Sequence, residues 1–177
     1  MSLFKRNKNS TQSSAGDQAA MAMMVINAIQ EGVIITNAQG IVQFINPAAA
    51  IMTNVVTANA IGLDFGLILK LESKDGRELA DAENPLFVAI RNAQPLANYI
   101  GLLIGQGVDK RTPIAISVLV VDGGARIITL RNVAKELEEE GAQTEFISTA
   151  SHEMRTPVAS IEGYLALALN PQTATID

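Results

Sequence analysis

Ser151-His152-Glu153-Met154-Arg155-Thr156-Pro157 bring together residue types that can handle a proton and a phosphoryl group. His152 is the single histidine of the chain. A neutral imidazole nitrogen is a good nucleophile for phosphorus near neutral pH, because its unperturbed pKa lies close to that value. On a helix His152 and Thr156, four residues apart, share one face. Glu153 follows about 100° further round. Pro157 has no N–H, so it frees the carbonyl of Glu153 and predicts a local kink just after the histidine. A lone helical histidine is ordinarily a surface or core residue, and Glu153 with Arg155 alone would make a solvated face. The complete ordered set carries far more weight than any one member.

The elements that must hold this set can be read from spacing. Leu130, Val133, Leu137, Glu140, Thr144, Ile147, Ser151, Met154, Val158, Ile161, Leu165 and Ala168 alternate three and four apart. That is coiled-coil spacing over almost six heptads, and it predicts a dimeric helix rather than a helix packed on its own domain. Ser151 falls on the seam and His152 just off it, exposed at the side. Glu140 and Thr144 interrupt the apolar seam, and Gly141 between them costs about 1 kcal/mol relative to alanine. The helix is expected to stop near Asn170-Pro171.

Upstream, residues 1–18 are basic and then polar, and read as a flexible linker. Phe4-Lys5-Arg6-Asn7-Lys8 is a small basic cluster of the kind that flanks membrane helices on the cytoplasmic side, or simply a solvated tail. A Met-rich helix is expected over about Asp17 to Gln30, with Asp17 as N-cap. Gly32 to Thr36 and Ile41 to Ile45 make a hairpin around Asn37-Ala38-Gln39-Gly40. Asn46 then caps a helix that has Pro47 in its first position. Short helices follow near Asp64–Leu69 and Asn84–Asn92. Three strands are expected near Leu96–Ile104, Lys110–Val121 and Ala125–Val133, the last two joined by Asp122-Gly123-Gly124. The domains are thus a linker over 1–18, a mixed domain over 19–133, a coil over 134–145 and a helical region over 146–177.

Composition narrows the function. The net charge of −5 and isoelectric point near 4.9 lack the basic footprint of a nucleic-acid binder. There is no cysteine, which removes disulfides and thiolate metal sites and fits a cytoplasmic setting. No segment has the run of 18 or more apolar residues that a membrane span needs.

From Phe146 to Leu169 the chain resembles the H-box helix of sensor histidine kinases. The stretch Gly32 to Met52, with its Asn46-Pro47-Ala48 helix start, resembles a PAS domain. The fold class implied is α+β: a PAS-like five-stranded antiparallel sheet with flanking helices, then a long coiled-coil dimerisation helix. The resemblance implies that His152 is the phosphoacceptor, taking the γ-phosphate of ATP and passing it to an aspartate of a response-regulator receiver domain. It implies that Glu153 orients or deprotonates the imidazole, and that Thr156 positions water for dephosphorylation. Arg155 and Pro157 have structural or signalling parts. Family members end the last strand with Asp-Ile/Val-Thr; here Asn132-Val133-Ala134 stand there, and Asn132 has no charge to pair with an arginine. Weaker coupling between sheet and helix, or coupling of another build, is expected.

ATP and Mg²⁺ belong to an ATP-binding domain whose Asn-rich box and Asp-x-Gly-x-Gly loop this sequence does not contain. The chain alone is therefore expected not to autophosphorylate. The resemblance places it in the cytoplasmic portion of a membrane-anchored parent, as a homodimer. Within the PAS-like domain the missing cysteine and the placement of the one histidine exclude a cysteinyl-flavin sensor and a His-ligated haem. Its ligand is not identified. A small metabolite in an apolar pocket stays open beside a packed domain that relays strain, which the sequence favours because no polar groups converge. The alternative function is a non-enzymatic PAS ligand-binding or dimerisation module.

Overall fold

The computed structural model describes residues 9–73, 75–77, 79–107 and 111–168. They fall in two compact units divided between Val133 and Ala134.

The first unit begins with α1 (Asn9–Ala28). This helix starts well before Asp17, so the polar stretch from Asn9 to Asp17 is helical where the sequence predicts linker. Serine, threonine, glutamine and alanine carry small helix penalties, no proline interrupts them, and Gly16 is the one weak residue. The basic cluster at residues 4–8 lies outside the described residues.

Strands β1 (Gly32–Thr36) and β2 (Val42–Ile45) form the expected hairpin. Asn37 shapes its turn, with Oδ1 accepting from the N–H groups of Gln39 and Ile41 at 3.0 and 2.9 Å. Gly40 supplies the positive φ of +86°. Helix α2 (Pro47–Thr53) is capped by Asn46, as its Asn-Pro start predicts. A short α3 (Thr57–Ala60) and a 3-10 turn over Phe65–Leu67 follow.

Strand β3 (Lys70–Glu72) is a sixth strand where the sequence predicts five. Three residues give no readable alternation, and this one exists by pairing with β4 at the sheet edge. Its Glu72 meets Arg111 through Oε2 and Nε at 2.8 Å. Helix α4 (Pro85–Arg91) is capped by Asn84. The sheet closes with β4 (Leu96–Ile104), β5 (Arg111–Val120) and β6 (Arg126–Asn132), close to the expected spans. Lys110, the expected start of β5, lies outside the described residues.

All pairings are antiparallel, in the order β2-β1-β6-β5-β4-β3. Register aligns Ile45, Ile34, Ile128 and Val118 across four strands, and all four are buried. Helices cover this face, contributing Ala49, Leu86, Ala89 and Ile90 to the core. Helix α2 approaches β1 so closely that a Cβ on Gly32 would sit 3.0 Å from the Cα of Ala49. Removing a branched side chain from this row, as in Ile34→Ala, costs about 2–5 kcal/mol.

The second unit is α5 (Ala134–Ala168), a helix of 35 residues. No helix among the described residues is long and apolar enough to cross a membrane.

Candidate phosphoacceptor site

Helix α5 has good reasons to form. Alanine, glutamate, lysine and leucine fill its first turns, and Lys135 pairs with Glu139 one turn on at 3.6 Å. The seam begins later than the sequence predicts. Leu130 belongs to β6 and Val133 is buried next to it, its N–H donating to the carbonyl of Pro113 at 3.1 Å. Both residues fit a strand and a heptad equally well by spacing, and sheet pairing claims them. The helical seam therefore starts at Leu137.

From there the apolar seam positions are exposed, including Ile147, Met154, Val158, Ile161 and Leu165. These exposed apolar side chains recur at heptad spacing along the helix. Two polar seam residues bond their hydroxyls back to the helix itself. Thr144 Oγ1 donates to the carbonyl of Glu140 at 2.9 Å, and Ser151 Oγ to that of Ile147 at 2.7 Å. This back-bonding leaves less polar surface on the seam.

His152, Glu153, Arg155, Thr156 and Pro157 all lie on α5 and all are exposed. The helix runs through Pro157 without a break. Proline leaves the carbonyl of Glu153 without its main-chain donor. One turn on, Ser160 Oγ donates to the carbonyl of Thr156 at 2.9 Å. His152 and Thr156 are one helical turn apart, with about 5–6 Å between Cβ atoms. Among the described residues no hydrogen bond or ion pair engages the imidazole of His152. Its ring nitrogens are thus open to an incoming group. The predicted stop at Asn170-Pro171 lies outside the described residues.

In the first unit, a half-open cavity of about 220 Å³ lies between β3 and the start of α4. Its lining is mixed, with Leu69, Leu71, Phe87 and Ile104 beside Lys70, Asp81 and Asn84. It is smaller than the roughly 300–1,000 Å³ of sites that enclose drug-sized ligands.

Two polar features of the first unit carry more than the sequence predicts. Arg126 is buried, its Nε donating to the carbonyl of Ile90 at 3.2 Å and its Nη1 to that of Gly124. Asn46, expected only as a cap, uses its entire amide. Nothing in sequence spacing distinguishes Asn46 from an ordinary cap, since the extra partners come from α1 and the link after it.

Residues 142–176 match the family model of the His Kinase A (phospho-acceptor) domain. The chain is 26% identical over 144 residues to the sensor protein kinase WalK of Staphylococcus saprophyticus, covering 80% of this chain and 22% of that protein. It is likewise 26% identical to a WalK sensor protein kinase of Staphylococcus aureus, again over 80% of this chain and 32% of the relative. The chain thus spans less than a third of either protein. Among solved structures it is similar to a PAS domain from a two-component sensor histidine kinase, with a TM-score of 0.52, 12% identity, and 67% of this chain and 98% of that one covered. It is also similar to the PAS domain of an HTR-like protein from Haloarcula marismortui, with a TM-score of 0.53, 7% identity, and 71% and 99% covered. The six-stranded unit has a PAS-like fold.

Proposed function

We propose that this chain, which joins the PAS-type domain of a sensor histidine kinase to its phosphoacceptor region, receives a phosphoryl group on His152 and hands it to an aspartate of a response regulator. The observation that carries the reading is the placement of His152. It is exposed and unengaged, and it sits inside the 142–176 match on an unbroken helix that follows a PAS-like domain.

In this reading a ring nitrogen of His152 attacks the γ-phosphorus of ATP, the bond to the bridging oxygen breaks, and ADP leaves. Phosphoryl transfer depends mainly on positioning and on neutralising charge. An ATP-binding domain with its Mg²⁺ supplies the charge neutralisation. Glu153 lies next to His152 and orients the ring or takes its proton. Thr156, one turn on, holds the water that hydrolyses the phosphoryl group on the regulator. Arg155 and Pro157 shape the helix surface that the partners meet.

The exposed seam of α5 is the homodimer contact, which would bury Met154, Val158, Ile161 and Leu165 against a second copy. Asn132 ends β6, with one residue between it and the start of α5, and takes the place of the family's acidic residue at the exit of the sheet. The chain belongs on the cytoplasmic side of a membrane-anchored parent. Transfer of label from ATP to His152 in the presence of a catalytic domain tests the reading.

A further inference from the structure

A helix cap needs only an acceptor, and aspartate or serine serves as well as asparagine. Asn46 does more. Its Oδ1 accepts from the N–H groups of Val33 and Ala49 at 2.8 and 2.9 Å. Its Nδ2 donates to the carbonyls of Ile26 and Glu31 at 3.1 and 2.9 Å. The side chain is fully buried; its two accepted bonds are buried and its two donated bonds partly so.

The two donated bonds reach outside the cap. Ile26 lies in the last turn of α1, where carbonyls have no donor within their own helix. Glu31 is in the link between α1 and β1. The main-chain N–H of Asn46 adds a bond to the carbonyl of Val33 at 2.9 Å. From there the path continues through the sheet. β1 pairs with β6 from Gly32 opposite Leu130 to Thr36 opposite Arg126. β6 then runs through Asn132 and Val133 into α5. Side-chain amide, strand pair and chain continuity thus form one contiguous series from the end of α1 to the helix that bears His152.

We propose that Asn46 is the positioning residue that couples α1 to the sheet, so that a displacement of α1 imposed from upstream is passed to β6 and the start of α5. The signalling role of that coupling rests on the phosphoacceptor reading of α5, whereas the coupling is tested without any phosphate. A bond that only capped α2 would need neither donation. An anchor that only held α1 would not alter β6.

Asn46→Asp separates these functions. The shapes match, the two acceptor contacts and the cap survive, and both donations are lost because a carboxylate presents oxygen to the carbonyls of Ile26 and Glu31. Amide hydrogen exchange of the whole chain, followed residue by residue, reads the result. We expect exchange over residues 25–31 to rise at least tenfold and over 129–134 at least threefold. The amides of Ala49 and of Leu103, on β4 away from β6, should stay within twofold of their original rates. Unchanged exchange over 25–31 would overturn the proposal. So would a rise there that leaves 129–134 unmoved, or a uniform rise that includes Leu103. Should the aspartate variant not fold, Asn46→Ser keeps a capping hydroxyl too short to span to Ile26, and the same criteria apply. None of these outcomes depends on whether His152 accepts phosphate.

Discussion

Thr36 and Arg126 face each other across β1 and β6, both buried, yet among the described residues only the arginine side chain has hydrogen bonds. Arg126 donates to the carbonyl of Ile90 near the end of α4, where unsatisfied carbonyls and the helix dipole favour a cation. Thr36 Oγ1 is enclosed without a partner among the described residues. A buried hydroxyl without a bond costs about 1–3 kcal/mol. Thr36→Val keeps the branched shape and removes that cost. Thermal unfolding should show a midpoint raised by a few degrees, consistent with about 1 kcal/mol. A clear fall would mean that the hydroxyl is bonded through ordered water.

The seam of α5 makes a prediction about assembly. Ile161 is 58% exposed in a single chain, so a charge there would cost an isolated helix little. If the seam pairs with a second copy, Ile161→Glu buries that charge in the contact. Sedimentation equilibrium should then show dimer association weakened at least a hundredfold, about 3 kcal/mol. Thr149→Glu, on the opposite side of the same helix, should leave the association unchanged. Equal behaviour of the two variants would contradict the seam.

In the proposed function Thr156 separates two activities of one helix face. In a chain supplied with its catalytic domain and a receiver partner, Thr156→Ala should slow dephosphorylation of the receiver about tenfold or more while changing phosphorylation of His152 by less than about threefold. That difference is a loss of about 1.4 kcal/mol in one transition state only. Paired rate measurements check it. Equal loss of both activities would count against a water-positioning role.

Much of this arrangement is legible in the sequence because local rules decide it. Asn37 to Gly40 fixes the first hairpin, Asn46-Pro47 and Asn84-Pro85 start α2 and α4, and Asp122 to Gly124 turns β5 into β6. The set proposed here for phosphoryl transfer is legible as a pattern, because His152, Glu153 and Thr156 fall on one continuous helix. What is hidden depends on distant partners. β3 is held by pairing with β4, and its three residues show no pattern of their own. Leu130 and Val133 satisfy the heptad by spacing but are taken by the sheet. Asn46 looks like any cap until Ile26 and Glu31 arrive at its amide, and Arg126 looks like a surface cation until α4 lays the carbonyl of Ile90 against it.

The central claim is that His152 accepts the phosphoryl group. Its most direct test incubates the chain and its His152→Gln variant with labelled ATP and an isolated catalytic domain from a related kinase, followed by acid treatment and mapping of the label. The account predicts acid-labile label on the unaltered chain, confined to His152, and none on the variant. Equal labelling of both chains, or acid-stable label elsewhere, would contradict it.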